Sequence, residues 1–146
     1  MNLLVYTSLA NDASKRLINI IADFEQVEKT EIFNSPDSLI YRLVQIRKDR
    51  TIVVLLMTTE EELTTVLSFQ EVFEGVNLVL ILPPGSDRMI SKAYKLYPRY
   101  VSYIDSDFSD VDAVLRKMIS KISHGERSNW QLLDRMNKGD QEGCRS

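Results

Sequence analysis

The chain has 146 residues and a hydrophobic content of 44%, which suits one globular domain with a single core. Its formal net charge of −3 argues against a nucleic-acid-binding protein, because a basic surface is needed to displace counterions from phosphates. The one cysteine, Cys144, and the one histidine, His124, exclude an internal disulfide and a zinc site built from these residue types.

The N-terminal residues lead directly into an apolar run, and no basic segment precedes it as it would in a secretory signal. The longest apolar run, residues 52–57, is far shorter than the ~20 residues of a membrane-spanning helix. We therefore expect a cytoplasmic protein without membrane contact.

Five runs with strand character alternate along the chain with runs of helical spacing. This alternation predicts a parallel sheet covered by helices on both faces, with ligands beyond the carboxyl ends of the strands. The second run is the most polar and is expected at an edge of the sheet, whereas the third is apolar throughout and is expected in the middle. The runs are residues 3–6, 27–33, 52–57, 78–82 and 100–104.

Each predicted helix begins at a residue whose side chain can accept a hydrogen bond from the first backbone N–H groups. Two of these starts have the spacing of a capping box, and one has proline at the first helical position. The third helix is expected to end at Gly75. In chain order the starts are Asn11 or Asp12, Ser35 with Pro36, Thr59 with Glu62, Ser86 or Asp87, and Ser109 with Asp112.

Apolar residues at helical spacing predict which side of each helix is buried. The buried stripe includes Val44 in the second helix and Phe73 in the third. In the fourth helix, Tyr94 and Tyr97 are expected to face the core or a neighbouring element.

A charge-balanced tail follows Gly125, so we predict a domain of residues 1–124 and a tail of residues 125–146. Within the tail, a short helix is expected with Trp130, Leu133 and Met136 on one side. A helix of about three turns is marginal alone and needs a surface to lie on.

Three stretches of the chain resemble receiver domains of bacterial two-component signalling. Residues 3–8, 52–57 and 103–108 are similar to the first, third and fifth strands of that family, with the residues that follow them. The resemblance covers residues 1–123. It implies a flavodoxin-like, three-layer α/β/α sandwich with a five-stranded parallel sheet in the order 2-1-3-4-5.

The resemblance also implies where the phosphorylation site of receivers falls in this chain. Aspartyl phosphorylation requires a carboxylate nucleophile, oxygen ligands for Mg²⁺ and a cation near the phosphoryl oxygens. The matching positions carry no such groups, so we predict a pseudo-receiver that is not phosphorylated on aspartate. These positions are Thr7 and Ser8 for the acidic pair, Met57 for the aspartate, Pro83 (or Leu82 before it) for the hydroxyl residue and Ser106 for the lysine.

Tyrosines recur every three residues at positions Tyr94, Tyr97, Tyr100 and Tyr103. Interfaces favour such side chains, although two or three of these tyrosines can also be half-buried packing residues. In receivers the face made by helix four, strand five and helix five commonly binds partners. The resemblance therefore implies protein–protein interaction or a homodimer through this face, with the tail as a second contact.

Two further groups of polar residues have a ligand-binding interpretation. Asp105, Asp107, Asp110 and Asp112 crowd the loop after the fifth strand, but they lack the glycine and glutamate of a calcium-binding loop, which favours helix capping. The hydroxyl residues at the strand ends could bind a nucleotide or a flavin. No glycine-rich loop follows the first strand, however, and this makes close approach of a pyrophosphate difficult.

No base paired with a nucleophile is visible in the sequence. We therefore predict a non-enzymatic regulatory module of bacterial receiver type, with no cofactor, no metal ion and no nucleic-acid partner. The alternative is a small-molecule sensor that binds a nucleotide or flavin at the carboxyl edge of the sheet.

Overall fold

Five parallel strands form one sheet in the order β2-β1-β3-β4-β5, which confirms the predicted topology. The structure is a computed structural model that describes residues 2–8, 12–24, 27, 29–85 and 87–123. The strands are β1 (Asn2–Thr7), β2 (Lys29–Phe33), β3 (Thr51–Leu56), β4 (Asn77–Leu82) and β5 (Tyr100–Tyr103). The α-helices within the described residues are α1 (Asp12–Ala22), α2 (Pro36–Leu43), α3 (Glu60–Leu67), α4 (Asp87–Ala93) and α5 (Ser109–Ser123).

The position of each strand follows from its polarity. Every residue of β3 is buried, and β3 pairs with β1 on one side and with β4 on the other. By contrast, β2 is mostly exposed and pairs only with β1 among the described strands. The apolar third run and the polar second run therefore take the central and edge places that their compositions predict.

The core lies on both faces of the sheet, because successive strand residues point to opposite sides. On one face, alternate residues of β1, β3 and β4 pack with the buried sides of α2, α3 and α4 in a single cluster. The intervening residues of the strands, such as Val5 and Val54, are buried on the opposite face. Leu17 of α1 and Val111 of α5 are fully buried as well.

Two predicted helix starts are confirmed in atomic detail. The Ser35 hydroxyl accepts a hydrogen bond from the Ser38 N–H at 3.3 Å, and Pro36 follows at the first helical position. Thr59 and Glu62 form both hydrogen bonds of a capping box at the start of α3. The predicted cap at Ser109 is wrong, since Ser109 is already helical and its N–H donates to the Asp107 carboxylate at 3.0 Å.

The third helix is shorter than predicted. α3 ends at Leu67, and a separate 3₁₀ helix covers Gln70–Phe73. The Ser68 N–H is shared between the carbonyls of Thr64 and Thr65, so the last turn tightens before the chain leaves the α-helical path. Gly75 lies in the turn that follows, with a φ of 83°.

The second helix also ends earlier than its apolar stripe suggests. α2 ends at Leu43, and Val44 serves as its C-terminal cap. Val44 is exposed as a result, which corrects its predicted burial. The backbone turns away at this point, so the spacing that predicted burial no longer applies.

The chain divides within α5 into two compact units, residues 1–115 and 116–146. Of the second unit, the structure describes the end of α5, residues 116–123. The predicted boundary after residue 124 and the tail residues Trp130, Leu133 and Met136 lie outside the described residues. Among the residues that are described, no helix has both the length and the apolar character needed to cross a lipid bilayer.

Candidate functional site

The carboxyl ends of the five parallel strands lie at one edge of the sheet. Thr7 pairs with Leu56, so Ser8 and Met57 follow β1 and β3 at the same level. The Met57 N–H donates to the carbonyl of Ile81 at 2.9 Å, which carries the ladder one residue past the end of β3. The Ile104 N–H donates to Leu82 at 2.9 Å in the same way beyond β5.

The five positions that the resemblance assigned to the phosphorylation site differ in burial. Met57 is fully buried, and its side chain belongs to the core cluster under α2, α3 and α4. Thr7 is buried as well, whereas Ser8, Pro83 and Ser106 are half-buried at the edge. Their match to the receiver positions stays a prediction, but the structure does place all five residues at the ends of parallel strands.

Glu62 organises the polar groups between β1 and β3. Its Oε1 accepts hydrogen bonds from the Thr58 N–H at 2.8 Å, the Thr58 hydroxyl at 2.9 Å and the Thr59 N–H at 3.1 Å. Its Oε2 accepts from the hydroxyl of Tyr6 at 2.6 Å, and the Ser8 hydroxyl adds a further hydrogen bond. The carboxylate is therefore surrounded by donors that belong to the protein itself. We call Glu62 and these donors the Glu62 network.

The Glu62 network keeps its carboxylate ionised. Burial alone raises the pKa of Glu62, but the hydrogen bonds from Ser8, Tyr6 and Thr58 outweigh burial and lower the pKa to about 2. Burial raises the pKa of Tyr6 above its usual range, and the Glu62 carboxylate adds to this effect through its hydrogen bond and its charge. The pair therefore consists of a neutral phenol and a carboxylate across the physiological range.

A guanidinium from α1 holds the loop between β5 and α5. Arg16 donates to the carbonyl of Ser106 at 2.7 Å and to that of Ile104 at 3.3 Å. Its Cζ lies 4.8 Å from the ring centroid of Phe108, a cation–π distance. Phe108 is fully buried and has a φ of 65°, so this loop contains a strained residue fixed by packing.

Two aspartates, one in this loop and one in the first turn of α5, accept hydrogen bonds from neighbouring protein groups. Asp107 accepts from the N–H and the hydroxyl of Ser109, and the backbone hydrogen bond lowers the pKa of Asp107. Asp110 accepts from the hydroxyls of Tyr100 and Ser102, both at 2.8 Å. Burial raises the pKa of Asp110, but these two hydrogen bonds outweigh it, so the pKa is lowered.

The described parts of the chain contain no group of three or more His, Cys, Asp or Glu side chains placed to hold a metal ion. Asp105 and Asp112 complete the acidic group predicted from the sequence; Asp105 is exposed and Asp112 is half-buried on α5.

The four tyrosines divide into two pairs. Tyr94 and Tyr97 are 56% and 83% exposed, which makes an inward orientation wrong for both. Tyr100 and Tyr103 are half-buried, and the Tyr100 hydroxyl donates to Asp110. Helix α4 ends at Ala93, so Tyr94 and Tyr97 lie on a 3₁₀ helix and its cap, where the helical spacing that predicted burial is lost.

Two residues important to this edge were not predicted as site residues. Glu62 was identified only as part of a capping box, although the same spacing could have indicated a carboxylate at the end of β3. Arg16 follows no motif, because its partners are backbone carbonyls about ninety positions away in the sequence.

No protein family model matches this chain, and no curated protein matches it. Among solved structures, it is similar to a Burkholderia pseudomallei protein described as pilus assembly-related, with a TM-score of 0.62 and 16% identity over 83% of this chain and 90% of that chain. The response regulator RcsB of Salmonella typhimurium has a TM-score of 0.62 and 12% identity, over 97% of this chain and 78% of that one.

The Legionella pneumophila response regulator LqsR has a TM-score of 0.57 and 11% identity, and the match covers 95% of this chain and 49% of that chain. At identities this low, the similarity concerns the fold alone. The fold is receiver-like, in agreement with the resemblance found in the sequence.

Proposed function

We propose that this chain is a receiver-like regulatory module that binds a protein partner and does not accept a phosphoryl group on aspartate. The observation that carries the proposal is Met57, a fully buried thioether at the end of the central strand β3. A thioether offers no carboxylate oxygen to attack a phosphoryl donor. On this proposal, the fold is retained for its surfaces and performs no bond chemistry.

The Glu62 network supports the same proposal. The carboxylate of Glu62 is hydrogen-bonded to Thr58, close behind the end of β3, but both of its oxygens accept hydrogen bonds from protein donors. A nucleophile or a magnesium ligand needs free lone pairs directed at its substrate or ion. Glu62 therefore stabilises the start of α3 and replaces neither the missing nucleophile nor the missing acidic pair.

Exposed tyrosines support the protein-binding part of the proposal. Tyr94 and Tyr97 are exposed in the segment that joins α4 to β5, and Tyr100 and Tyr103 of β5 are half-buried. Exposed aromatic residues are enriched in protein interfaces and are uncommon on surfaces that bind nothing. We propose that α4, β5 and the start of α5 form the partner surface, with the partner either another protein or a second copy of the chain.

The alternative is a sensor of nucleotides or flavins at the carboxyl edge. It has less support, because the ionised Glu62 carboxylate lies between β1 and β3, where the phosphate groups of such ligands would approach. Repulsion between the Glu62 carboxylate and these phosphate groups would disfavour binding. We propose the protein-binding role in preference to this one.

Incubation of the full chain with acetyl phosphate and Mg²⁺, followed by intact-mass measurement, tests the proposal. An active receiver domain treated in parallel is the positive control. We expect no phosphoryl adduct and no change in solution mass measured by light scattering. An adduct that is lost in hydroxylamine, as acyl phosphates are, would contradict the proposal, whereas a hydroxylamine-resistant adduct would indicate a hydroxyl acceptor.

A further inference from the structure

An open cleft of about 280 Å³ lies at the amino end of β4 and β5, opposite to the edge that carries the Glu62 network. Its base is formed by Phe73, Val76 and Leu96, which are apolar and nearly fully buried. Its rim is made of exposed residues from the turns that precede the two strands. These are Gln70, Glu74, Gly75, Lys95, Tyr97 and Arg99.

The rim carries a net positive charge, and its two cations are not engaged in ion pairs within the part of the chain that the structure describes. Among the described residues, neither Lys95 nor Arg99 forms an ion pair, whereas Lys92 and Arg88 of α4 both bind Glu60. Lys95 and Arg99 are the two basic side chains among the residues that line the cleft. Glu74 is the single acidic side chain on the rim. The cleft is therefore complementary to an acidic ligand.

Tyr97 adds a side chain held in an unusual position. Its backbone is left-handed, with φ 54° and ψ 55°, and its side chain is 83% exposed. A bulky residue seldom adopts this conformation unless the surrounding structure imposes it. Such outliers occur preferentially at ligand-binding positions. Tyr97 lines the cleft together with the two unpaired cations, Lys95 and Arg99.

The size of the cleft decides between types of ligand. Pockets that enclose drug-sized molecules occupy roughly 300–1,000 Å³, and this cleft is at or below that range and open to solvent. A nucleotide or a flavin would be enclosed only in part. One large apolar side chain of a peptide would fill the base, while the neighbouring residues of the peptide would reach the rim.

We propose that this cleft binds an acidic peptide segment of a partner protein, with an aromatic or large aliphatic side chain on the apolar base and a carboxylate at Lys95 and Arg99. The inference rests on the proposed function, because it names the chemistry of the partner of a module that acts by binding. It adds a contact at the amino end of the sheet to the partner surface proposed for α4, β5 and the start of α5.

The test pans a phage-displayed library of random peptides on the immobilised full chain, with the Lys95→Gln, Arg99→Gln double variant as the counter-target. We expect the enriched peptides to carry Asp or Glu close to Phe, Trp or Leu. We expect a synthetic peptide of the enriched sequence to bind the double variant about tenfold more weakly, since two charge contacts are lost.

Two further variants separate the cleft from general effects of charge and folding. Arg47→Gln, Lys48→Gln removes the same charge outside the cleft and is expected to leave the peptide affinity unchanged. Tyr97→Asn removes the ring but suits the left-handed backbone, so the chain is expected to fold by circular dichroism and to bind the peptide more weakly.

No enrichment, enriched peptides without acidic residues, or an equal loss in the Arg47, Lys48 control would overturn the inference. Displacement of the peptide by phenylacetate at matching concentration would instead identify a small-molecule site and also overturn it. These outcomes are distinct from failure of the proposed function, because an acyl phosphate on the chain would contradict that function whatever the peptides do.

Discussion

Replacement of Glu62 by glutamine tests the Glu62 network directly, because it keeps the size of the side chain and removes its charge. The two carboxylate oxygens accept from Tyr6, Thr58 and Thr59, and every one of these partners donates. A glutamine amide offers one oxygen and one NH₂ group. Whichever way the amide is turned, one set of donors faces another donor and loses its acceptor.

The magnitude follows from the fall in the pKa of Glu62, from an ordinary value of 4.5 to about 2. At full value this fall would correspond to roughly 3.5 kcal/mol of folding free energy, since one unit of pKa corresponds to about 1.4 kcal/mol. Glu62 is only half-buried, and solvent screening reduces this contribution. We therefore expect Glu62→Gln to lower the free energy of unfolding at neutral pH by about 2 kcal/mol.

The pH dependence has a definite sign. Because the pKa of Glu62 is lower in the folded state than in the unfolded state, its contribution is complete above the unfolded value of 4.5. The contribution is lost as the pH falls from there toward about 2, where the folded carboxylate takes up a proton. The difference between wild type and Glu62→Gln should therefore shrink over this interval.

Urea unfolding followed by circular dichroism, at neutral pH and at several lower values, measures both effects. Glu61→Gln is the matched control, since Glu61 lies in the same first turn of α3 but is exposed. It is expected to change stability by less than about 0.5 kcal/mol. A Glu62→Gln penalty that is constant with pH, or that is no larger than the Glu61→Gln penalty, would refute the role assigned to the carboxylate.

Two further predictions concern the neighbours of this network. Because the pKa of Tyr6 is raised in the folded state, wild type should lose stability as the pH rises above the ordinary tyrosine value of 10.0, and Tyr6→Phe should lose less. Urea unfolding midpoints measured below and above that pH test this prediction. Equal losses in the two proteins would contradict it. Arg16→Gln should lower the free energy of unfolding by about 1 kcal/mol and speed amide hydrogen exchange in residues 104–108, because two hydrogen bonds and the contact with Phe108 are lost. Lys15→Gln is the control, and equal exchange rates in the two variants would contradict the role of Arg16 in holding this loop.

The fold could be predicted from the sequence because each strand carries a local signal of its place. The unbroken apolar run of β3 requires cover on both faces, and the polar run of β2 tolerates an edge. The starts of α2 and α3 were also predictable, since a cap depends on residues within one turn of each other. Local chemistry fixes both kinds of feature.

Errors occurred where helices end, because an ending depends on the balance between weak alternatives. Periodicity continued through Val44 and as far as Phe73, but the chain had already left the α-helix at Leu43 and at Leu67. The hydroxyls of Thr64 and Thr65 bond to carbonyls of the preceding turn, which competes with the regular helical pattern. The spacing of apolar residues does not report this competition.

The candidate site was only half predictable for a related reason. Which residues follow the strands is visible in the sequence, and so is the absence of an acid at Met57. The hydrogen bonds that Glu62 and Arg16 form at this edge are not visible in the sequence, since Tyr6 and Glu62 are 56 positions apart and Arg16 reaches a loop about ninety positions away. Such pairs become neighbours only after the sheet has formed.

These contacts account for the contrast between the two edges of the sheet. At the carboxyl edge, the donors around Glu62 and the loop carbonyls around Arg16 are already paired with protein groups, so a ligand would have to replace existing hydrogen bonds. At the amino edge, Lys95, Arg99 and the Tyr97 ring have no such partners among the described residues. Binding there forms new contacts without breaking old ones. Under the proposed function, we therefore expect partner binding through the surface near α4 and β5 and not through the carboxyl edge of the sheet.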